Sequence, residues 1–356
     1  MLLSRNTLKL SQTHSPTLTF TRNKNFLMEL RCETCMPVPL FTIVIPLYQS
    51  INVLQLTLSA VQALDVDDWE CILVDDGSPD MTKDVALTLT SQDVRFKVLS
   101  LPEAHGSACP ARNLGAAHAH VDSRYIMFLD HDDLLYPDAL SHMANLLDAN
   151  PEYLAVHGTA ISDQADPDDR KGSCRAVYRN GRRHWLAPYE ATTFESLATG
   201  CHIPAPGTVL CRNCDLIRNG LFPEGRIGQL DYDGWLRLLI HGNFLYTEHR
   251  ILFKRHPDGC MTINSRNLRE RILGTIIRTS ALPEVRPSQR NYLLKAAAVN
   301  QLLEARAYLK EAVLKVRPRN LLRTGSQLAM AFLLFLLATK PNTSESTILH
   351  FNKKAS

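Results

Sequence analysis

Two acidic segments of this sequence each follow an apolar run, and their side chains suit the binding of cations or hydrogen-bond donors. Asp75 and Asp76 come directly after the run Trp69–Val74, and a second segment, Asp130–Asp133, follows Tyr125–Leu129. A nucleobase imide N–H or a ribose hydroxyl would serve as a donor to the first pair of carboxylates. The structural alternative is an Asx turn that closes the strand.

The second segment reads Asp130-His131-Asp132-Asp133. Three carboxylates in four residues at a strand end are costly unless a cation neutralises them. Hard oxygen ligands of this kind suit Mg²⁺ or Mn²⁺, which bind through one or two carboxylates plus phosphate oxygens. The alternative is N-capping of a helix that begins near Pro137, about four residues too late for all three acids to be caps. The sequence therefore favours a divalent cation.

A third pair of acids, Asp231 and Asp233, opens a predicted helix that continues through Trp235. The helix dipole favours acids in a first turn, so a structural role is open to both. Because residues two apart lie on different sides of a helix, one of them can face a cleft and act as a base. His256 ends a later predicted strand, a place where a lone histidine is ordinarily structural.

The elements that position these acids alternate between strand and helix. Predicted strands are Phe41–Leu47, Trp69–Asp75, Arg95–Leu99, Arg124–Asp130 and Tyr153–Ile161, with helical spacing between successive strands. Such βαβ units predict a mainly parallel sheet covered on both faces. Ligands of these sheets bind beyond the carboxyl ends of the strands, where the acidic segments lie. A helix over Gln229–Ile240, a hairpin-like pair over Gly242–Phe253 and mostly helical residues over Arg266–Lys315 follow.

Composition indicates a globular chain of 356 residues, with 45% apolar and 21% charged residues. The net charge of +3 is too small to suggest nucleic-acid binding by itself. Between Ser265 and Arg323, however, 13 Lys and Arg stand against 4 Asp and Glu. An acidic body followed by a basic tail suggests an anionic partner for the tail.

The C-terminal run Leu328–Ala338 is uniformly apolar but has only 11 residues, whereas about 20 are needed to span a bilayer. With the arginines upstream, the sequence favours a peripheral membrane contact through residues 317–338 over a core or oligomer-interface helix. Nine cysteines form no compact framework, which favours reduced thiols over disulfides or zinc. The predicted location is cytoplasmic, at the inner face of the cell membrane.

Five motifs occur in an order that resembles family 2 glycosyltransferases: Phe41–Tyr48, Val74–Ser78, Ala111–Gly115, Phe128–Asp133 and Asp231–Leu238. The resemblance covers about residues 40–262. It implies a GT-A fold, an α/β nucleotide-diphospho-sugar transferase-like architecture with a mostly parallel sheet between helices. The predicted division is a loose N-terminal extension (1–39), the GT-A domain (40–262), a basic helical extension (263–323) and a short apolar helix and tail (324–356).

The resemblance also implies roles for individual residues. Donor nucleotide binding falls to Pro46, Tyr48, Asp75, Asp76, Arg112, Asp130 and His131, with Tyr48 stacking on the base and Asp76 contacting it. The metal ligands are Asp132, which binds directly, together with Asp130 and His256. Asp231 matches the general base. Many family members carry Glu immediately before that base, whereas this sequence has Leu230, so Asp233 stays a second candidate.

The implied activity is a metal-dependent, inverting transfer of a sugar from a nucleotide-diphosphate donor, with uridine favoured. The acceptor would be a hydroxyl of a glycan or lipid-linked molecule, as in polysaccharide biosynthesis. Two alternatives remain open. One is a non-catalytic GT-A scaffold at the membrane, which Leu230 makes conceivable. The other is a sugar nucleotidyltransferase, which needs a Gly-rich phosphate loop with a Lys where this sequence has Tyr48–Asn52.

Overall fold

The computed structural model shows a central β-sheet with helices packed on both faces. It describes residues 18–22, 28–32, 38–163, 177–179, 182–184, 186–198, 202–223, 230–255, 275–276, 278–298 and 328–329.

The strands are β1 (Leu18–Arg22), β2 (Met28–Cys32), β3 (Phe41–Leu47), β4 (Trp69–Asp75), β5 (Phe96–Ser100), β6 (Tyr125–Phe128), β7 (Leu134–Leu135), β8 (Ala155–Ser162), β9 (Val177–Arg179), β10 (Arg182–His184), β11 (Ala191–Thr192), β12 (Val209–Arg212) and β13 (Phe244–Lys254). The helices are α1 (Leu54–Gln62), α2 (Thr82–Thr90), α3 (Cys109–Ala117), α4 (Ala139–Ala149), α5 (Phe194–Ala198), α6 (Asp215–Arg218) and α7 (Leu230–Leu239), with a 3-10 turn at Pro206–Thr208. Further helical residues lie at 275–276, 278–280, 287–298 and 328–329.

Nine strands form one sheet in the order β11-β13-β8-β12-β6-β3-β4-β5, with β7 paired to β13. β6, β3, β4 and β5 are parallel neighbours, and β13 runs parallel to β8. β12 lies antiparallel between β6 and β8. The predicted α/β class, a mostly parallel central sheet flanked by helices, is confirmed.

Successive side chains of β3 enter different cores. Val44 belongs to the core under α3 and α7, whereas Ile43 and Ile45 belong to the core under α1 and α4. Every residue of β3 and of β4 is buried, which explains why both strands are mainly apolar rather than alternating between apolar and polar residues. The strand bounds predicted for Phe41–Leu47 and Trp69–Asp75 match the structure.

The hairpin predicted over Gly242–Phe253 is wrong. These residues contribute to one strand of 11 residues, β13, which follows β8 in parallel and is bent by irregularities between Tyr246 and Leu252. An apolar alternation is the same in a hairpin and in a single strand, so the sequence did not distinguish them. The consequence is that the end of β13 pairs with β7, directly after the acidic segment.

The described part of the C-terminal extension packs on the sheet domain. Ile276, Val285 and Leu293 belong to the same buried cluster as Trp235 of α7. The extension therefore shares a core with the domain that precedes it. The boundary proposed at residue 263 stays a prediction.

At the N-terminus, β1 and β2 form an antiparallel pair inside the range predicted as a loose extension. Among the described residues, no helix is both long and apolar enough to cross a bilayer. Most of the segment 317–338 lies outside the described residues, so its membrane contact stays a prediction.

Replacing Gly115 by alanine tests the contact between α3 and β3. A Cβ on Gly115 would lie 2.3 Å from Cγ1 of the buried Val44. Overpacking of this kind costs roughly 1–3 kcal/mol, and the helix-propensity gain of about 1 kcal/mol offsets it only in part. We expect Gly115→Ala to lower the free energy of unfolding in urea. Ala117→Ser, on the exposed side of α3, should stay within about 0.5 kcal/mol of wild type; equal stability of both variants would contradict the tight contact.

Candidate active site

The carboxyl ends of β3, β4 and β6 meet at one edge of the sheet, and the residues predicted for donor binding lie there. The parallel register places Leu47 beside Asp75. Nδ1 of His131 lies 3.2 Å from the carbonyl oxygen of Pro46; because that oxygen only accepts, the nitrogen carries the proton. The two acidic segments, 55 residues apart in the sequence, thus lie side by side in the fold.

The carboxylates of Asp75 and Asp76 are buried, and they differ in their partners. Asp76 accepts the backbone N–H of His105 at 3.1 Å, and its Oδ1 lies 2.7 Å from Nδ1 of the same histidine. Asp75 accepts the N–H of Ser78 through Oδ2 at 3.3 Å. Its buried Oδ1 has no hydrogen-bond partner among the described residues. The open acceptor is therefore on Asp75, whereas the resemblance gave the base contact to Asp76.

Tyr48 and Gly77 shape the same corner. The Tyr48 side chain is 43% exposed at the end of β3, so one ring face is available for stacking on a planar base. Gly77 has a φ of 60°, and a Cβ there would lie 2.4 Å from the carbonyl carbon of Glu103. Glycine is required at this position because both the backbone conformation and the approach of the following loop exclude a side chain.

The first turn of α3 brings Arg112 to this edge. Its Nη2 donates to Oδ1 of Asp130 at 2.6 Å, and the guanidinium carbon lies 5.4 Å from the centre of the Phe222 ring. Burial opposes the charge, but Asp130 and Asp231 outweigh burial and raise the pKa of Arg112. The buried Nε has no hydrogen-bond partner among the described residues, so this cation keeps a donor for an anionic ligand.

The surroundings of the acidic segment shift the pKa values of two of its carboxylates in opposite directions. Burial alone would raise the pKa of Asp130, but Arg112 and Lys254 outweigh it and lower that pKa. Asp133 behaves oppositely: burial first, then Asp130 and Asp132, raise its pKa to about 8 despite the nearby Lys254. The Asp133 side chain is 1% exposed, and neither carboxylate oxygen has a regular hydrogen bond in the described part of the chain.

The donor set fits a hard divalent cation. Asp130 and Asp132 are partly exposed, and the buried Asp133 carboxylate, which the backbone N–H of Arg255 stabilises only in part, would be stabilised further by a cation. Asp133 thereby joins the candidate ligands. No group of three or more His, Cys, Asp or Glu side chains already surrounds one position in the ranges that the structure describes. The predicted third ligand, His256, lies outside them, so the ligand set stays a prediction.

Sequence reasoning missed two cations at this site. β13 pairs antiparallel with β7 through Phe253 and Leu134, and the same register places Lys254 opposite Asp133. Burial disfavours the Lys254 ammonium, yet Asp133, Asp130, Asp132 and Asp231 together raise its pKa. This lysine is therefore a charged neighbour of the whole cluster.

The second missed cation, Arg255, holds the backbone of the acidic segment. Its Nε donates to the carbonyl oxygen of Asp132, and its Nη2 donates to Val53 and Thr57 at 3.1 and 3.0 Å. The only signal in the sequence was the adjacency of both cations to His256. Their partners in the acidic segment lie more than a hundred residues earlier in the chain. Local sequence patterns do not reveal contacts across such separations.

The structure separates the two acids of α7. Asp231 is partly exposed near the start of α7, and its charge helps to raise the pKa of both Arg112 and Lys254. Asp233 is fully buried and hydrogen-bonded to Arg278 at 2.6 Å. A buried carboxylate in an ion pair has no exposed oxygen to accept a substrate proton, which favours Asp231 over Asp233 as the candidate base. Both assignments stay predictions.

Known glycosyltransferases are similar to this chain in sequence. The family model described as "Glycosyl transferase family 2" matches residues 42–216. An uncharacterized glycosyltransferase of Rickettsia typhi is 27% identical over 232 residues, which cover 64% of this chain and 67% of that protein. The succinoglycan biosynthesis protein ExoW of Rhizobium meliloti is 34% identical over 100 residues, 28% of this chain and 31% of that protein.

Among solved structures, S. aureus TarS residues 1–349 in complex with UDP-GlcNAc superposes with a TM-score of 0.60 at 16% identity. The match covers 84% of this chain and 81% of that chain. At this identity the likeness shows a shared fold.

The raised pKa of Asp133 predicts a pH dependence of stability. Between its ordinary value of 3.8 and about 8, the folded chain retains a proton that the unfolded chain releases, so stability falls as pH rises through this window. We expect Asp133→Asn to remove that loss, so that the variant's Tm exceeds that of wild type at pH 8.5 by more than at pH 5. Asp122→Asn, an exposed control, should show no such divergence. Parallel Tm curves for wild type and Asp133→Asn would contradict the assignment.

Proposed function

From the premise that this chain belongs to glycosyl transferase family 2, we propose that it transfers a sugar from a nucleotide-diphosphate donor to an acceptor hydroxyl, with a divalent metal and with inversion of the anomeric carbon. The observation that carries the proposal is the convergence of three groups at one sheet edge. These groups are a base corner (Tyr48 and Asp75), a buried cation (Arg112) and an undercompensated acidic cluster (Asp130–Asp133).

The nucleoside binds in the base corner. The exposed Tyr48 ring stacks on the base, and the unpaired Oδ1 of Asp75 accepts an imide N–H. Uracil has such a donor at its N3 position, which supports a UDP-sugar. The UDP-GlcNAc complex of TarS, a protein of the same fold, supports the same choice. Asp76 is already hydrogen-bonded to His105, so it supports the structure of the corner and does not contact the base.

The diphosphate lies between Arg112 and the acidic cluster. Asp130, Asp132 and Asp133 would hold Mn²⁺ or Mg²⁺, and such an ion stabilises the negative charge that develops on the leaving diphosphate. Arg112 contributes a second positive charge through its unoccupied Nε. Because these charges stabilise the leaving group, no protein acid is needed on that side.

Asp231 acts on the acceptor. Its carboxylate takes the proton of the attacking hydroxyl as the hydroxyl oxygen bonds to the anomeric carbon and the bond to the diphosphate oxygen breaks. A single displacement of this kind inverts the anomeric centre. Leu230, found where relatives carry Glu, leaves Asp231 as the only acid of the described part of α7 that faces this edge.

Two substitutions separate binding from turnover. We expect Asp132→Ala to abolish metal-dependent binding of UDP, because the cation loses a ligand. Asp231→Asn should bind UDP with Mn²⁺ as wild type does but lose turnover by roughly 10²- to 10⁴-fold, the usual contribution of a general base. Calorimetry with UDP and Mn²⁺ and a hydrolysis assay over a panel of nucleotide sugars measure the two quantities. Asp122→Ala is the exposed-acid control; undiminished metal-dependent binding in Asp132→Ala would defeat the metal proposal.

Substitution of Lys254 should change the affinity for the divalent cation in the absence of nucleotide. Its ammonium and a divalent ion compete for the same carboxylates, so Lys254→Gln should bind Mn²⁺ several-fold more tightly than wild type in the absence of nucleotide. Titration of free Mn²⁺ by electron paramagnetic resonance measures this affinity. Lys83→Gln removes an exposed lysine far from the cluster and should leave the affinity unchanged. Equal or weaker Mn²⁺ binding in Lys254→Gln would show that the lysine and the ion do not share a site.

A further inference from the structure

A buried ion pair joins α7 to the C-terminal extension, outside residues 42–216. Oδ2 of Asp233 accepts from Nη2 of Arg278 at 2.6 Å and from its Nε at 3.2 Å. Thr279 donates to Oδ1 at 3.5 Å, whereas Nε of Arg237 stays 3.6 Å from that oxygen. Arg278 is thus the residue that provides strong hydrogen bonds to a carboxylate with no exposed surface.

A second constraint on the position of α7 comes from Phe222. A Cβ on Gly234 would lie 2.7 Å from the Phe222 ring, so this ring touches the helix backbone. The Phe222 ring in turn lies under the guanidinium of Arg112. Held by Arg278 at one residue and by Phe222 at the next, the helix has little freedom to rotate about its axis.

The rotation of α7 decides where Asp231 lies. Side chains advance by about 100° per residue along a helix, so Asp231 and Asp233 point about 200° apart. With Asp233 held in the core by Arg278, the helical offset puts Asp231 on the other side of α7, where it is partly exposed and its charge reaches Arg112 and Lys254. A rotation of α7 would move the base candidate and the anchor together.

We propose that Arg278 is a positioning residue, which sets the orientation of Asp231 through its ion pair with the buried Asp233. The inference rests on the proposed function for its catalytic part, since Asp231 matters as a base. Its structural part, that Arg278 holds α7, stands without that function. Through Arg278, the described part of the C-terminal extension then supports the active site without a direct contact between Arg278 and the substrate.

The choice of variants must separate positioning from folding. Removing Arg278 alone leaves a buried carboxylate without its hydrogen-bond donors, which is destabilising in itself. Arg278→Lys keeps the charge but not the two-nitrogen contact. Asp233→Asn combined with Arg278→Gln removes both charges and keeps a neutral hydrogen-bonding pair. Arg286→Gln is the control, because Arg286 is exposed and its side chain bonds only to Gln289 of its own segment among the contacts described.

Two readouts on these variants test the proposal. Hydrogen exchange of the α7 amides should quicken at least several-fold in Arg278→Lys and remain as in wild type in Arg286→Gln. In the hydrolysis or transfer assay, kcat of Arg278→Lys should fall about 10- to 100-fold, the effect of a displacement near 1 Å, with the donor KM unchanged. The neutral pair should recover part of the lost kcat.

The outcomes are distinguishable. Quickened exchange in α7 together with a fall in kcat supports the whole proposal. Quickened exchange in an enzyme whose wild type turns over no nucleotide sugar supports the anchor and counts against the proposed function. Unchanged exchange and unchanged kcat in Arg278→Lys overturn the inference. A donor KM that rises as kcat stays constant also overturns it, since that result would place Arg278 in donor binding.

Discussion

The compensation of buried negative charge at one sheet edge is the constraint on which the site depends. Asp130, Asp132 and Asp133 lie there in one segment, and two cations from different elements, Arg112 and Lys254, interact with carboxylates of that segment and with Asp231. The compensation is incomplete, because burial and neighbouring carboxylates still raise the pKa of Asp133 to about 8. An incompletely neutralised cluster attracts a further cation, and an anionic diphosphate can then bind beside it.

Close contacts between neighbouring elements of the fold position these charged side chains. Gly115 lets α3 approach Val44 closely enough to present Arg112, and Gly77 lets the loop of His105 close over Asp76. The antiparallel pairing of β13 with β7 sets Lys254 opposite Asp133. Each position depends on backbone contact between elements, so a small shift of one element would unbalance the cluster.

The C-terminal extension belongs to this arrangement. Its buried residues share a core with α7, and Arg278 neutralises Asp233 inside that core. The two acids of one helical turn therefore differ in their surroundings: Asp233 is buried in an ion pair, and Asp231 is partly exposed. A family match that ends at residue 216 contains neither acid, although both are needed to describe the site.

The sequence by itself determined the strands β3 and β4, the α/β order and the acids that follow the strands, because apolar runs and turn residues are local signals. Its short, contiguous motifs also carried the resemblance to family 2 glycosyltransferases, which the family model matches over residues 42–216. Only the tertiary structure showed that Oδ1 of Asp75 has no hydrogen-bond partner among the described residues, while both oxygens of Asp76 have one. It also showed that Asp233 is buried and paired with Arg278, and that Lys254 is near enough to Asp133 for their charges to interact. Burial and partners across long sequence separations set these roles, and neither quantity is encoded in local spacing.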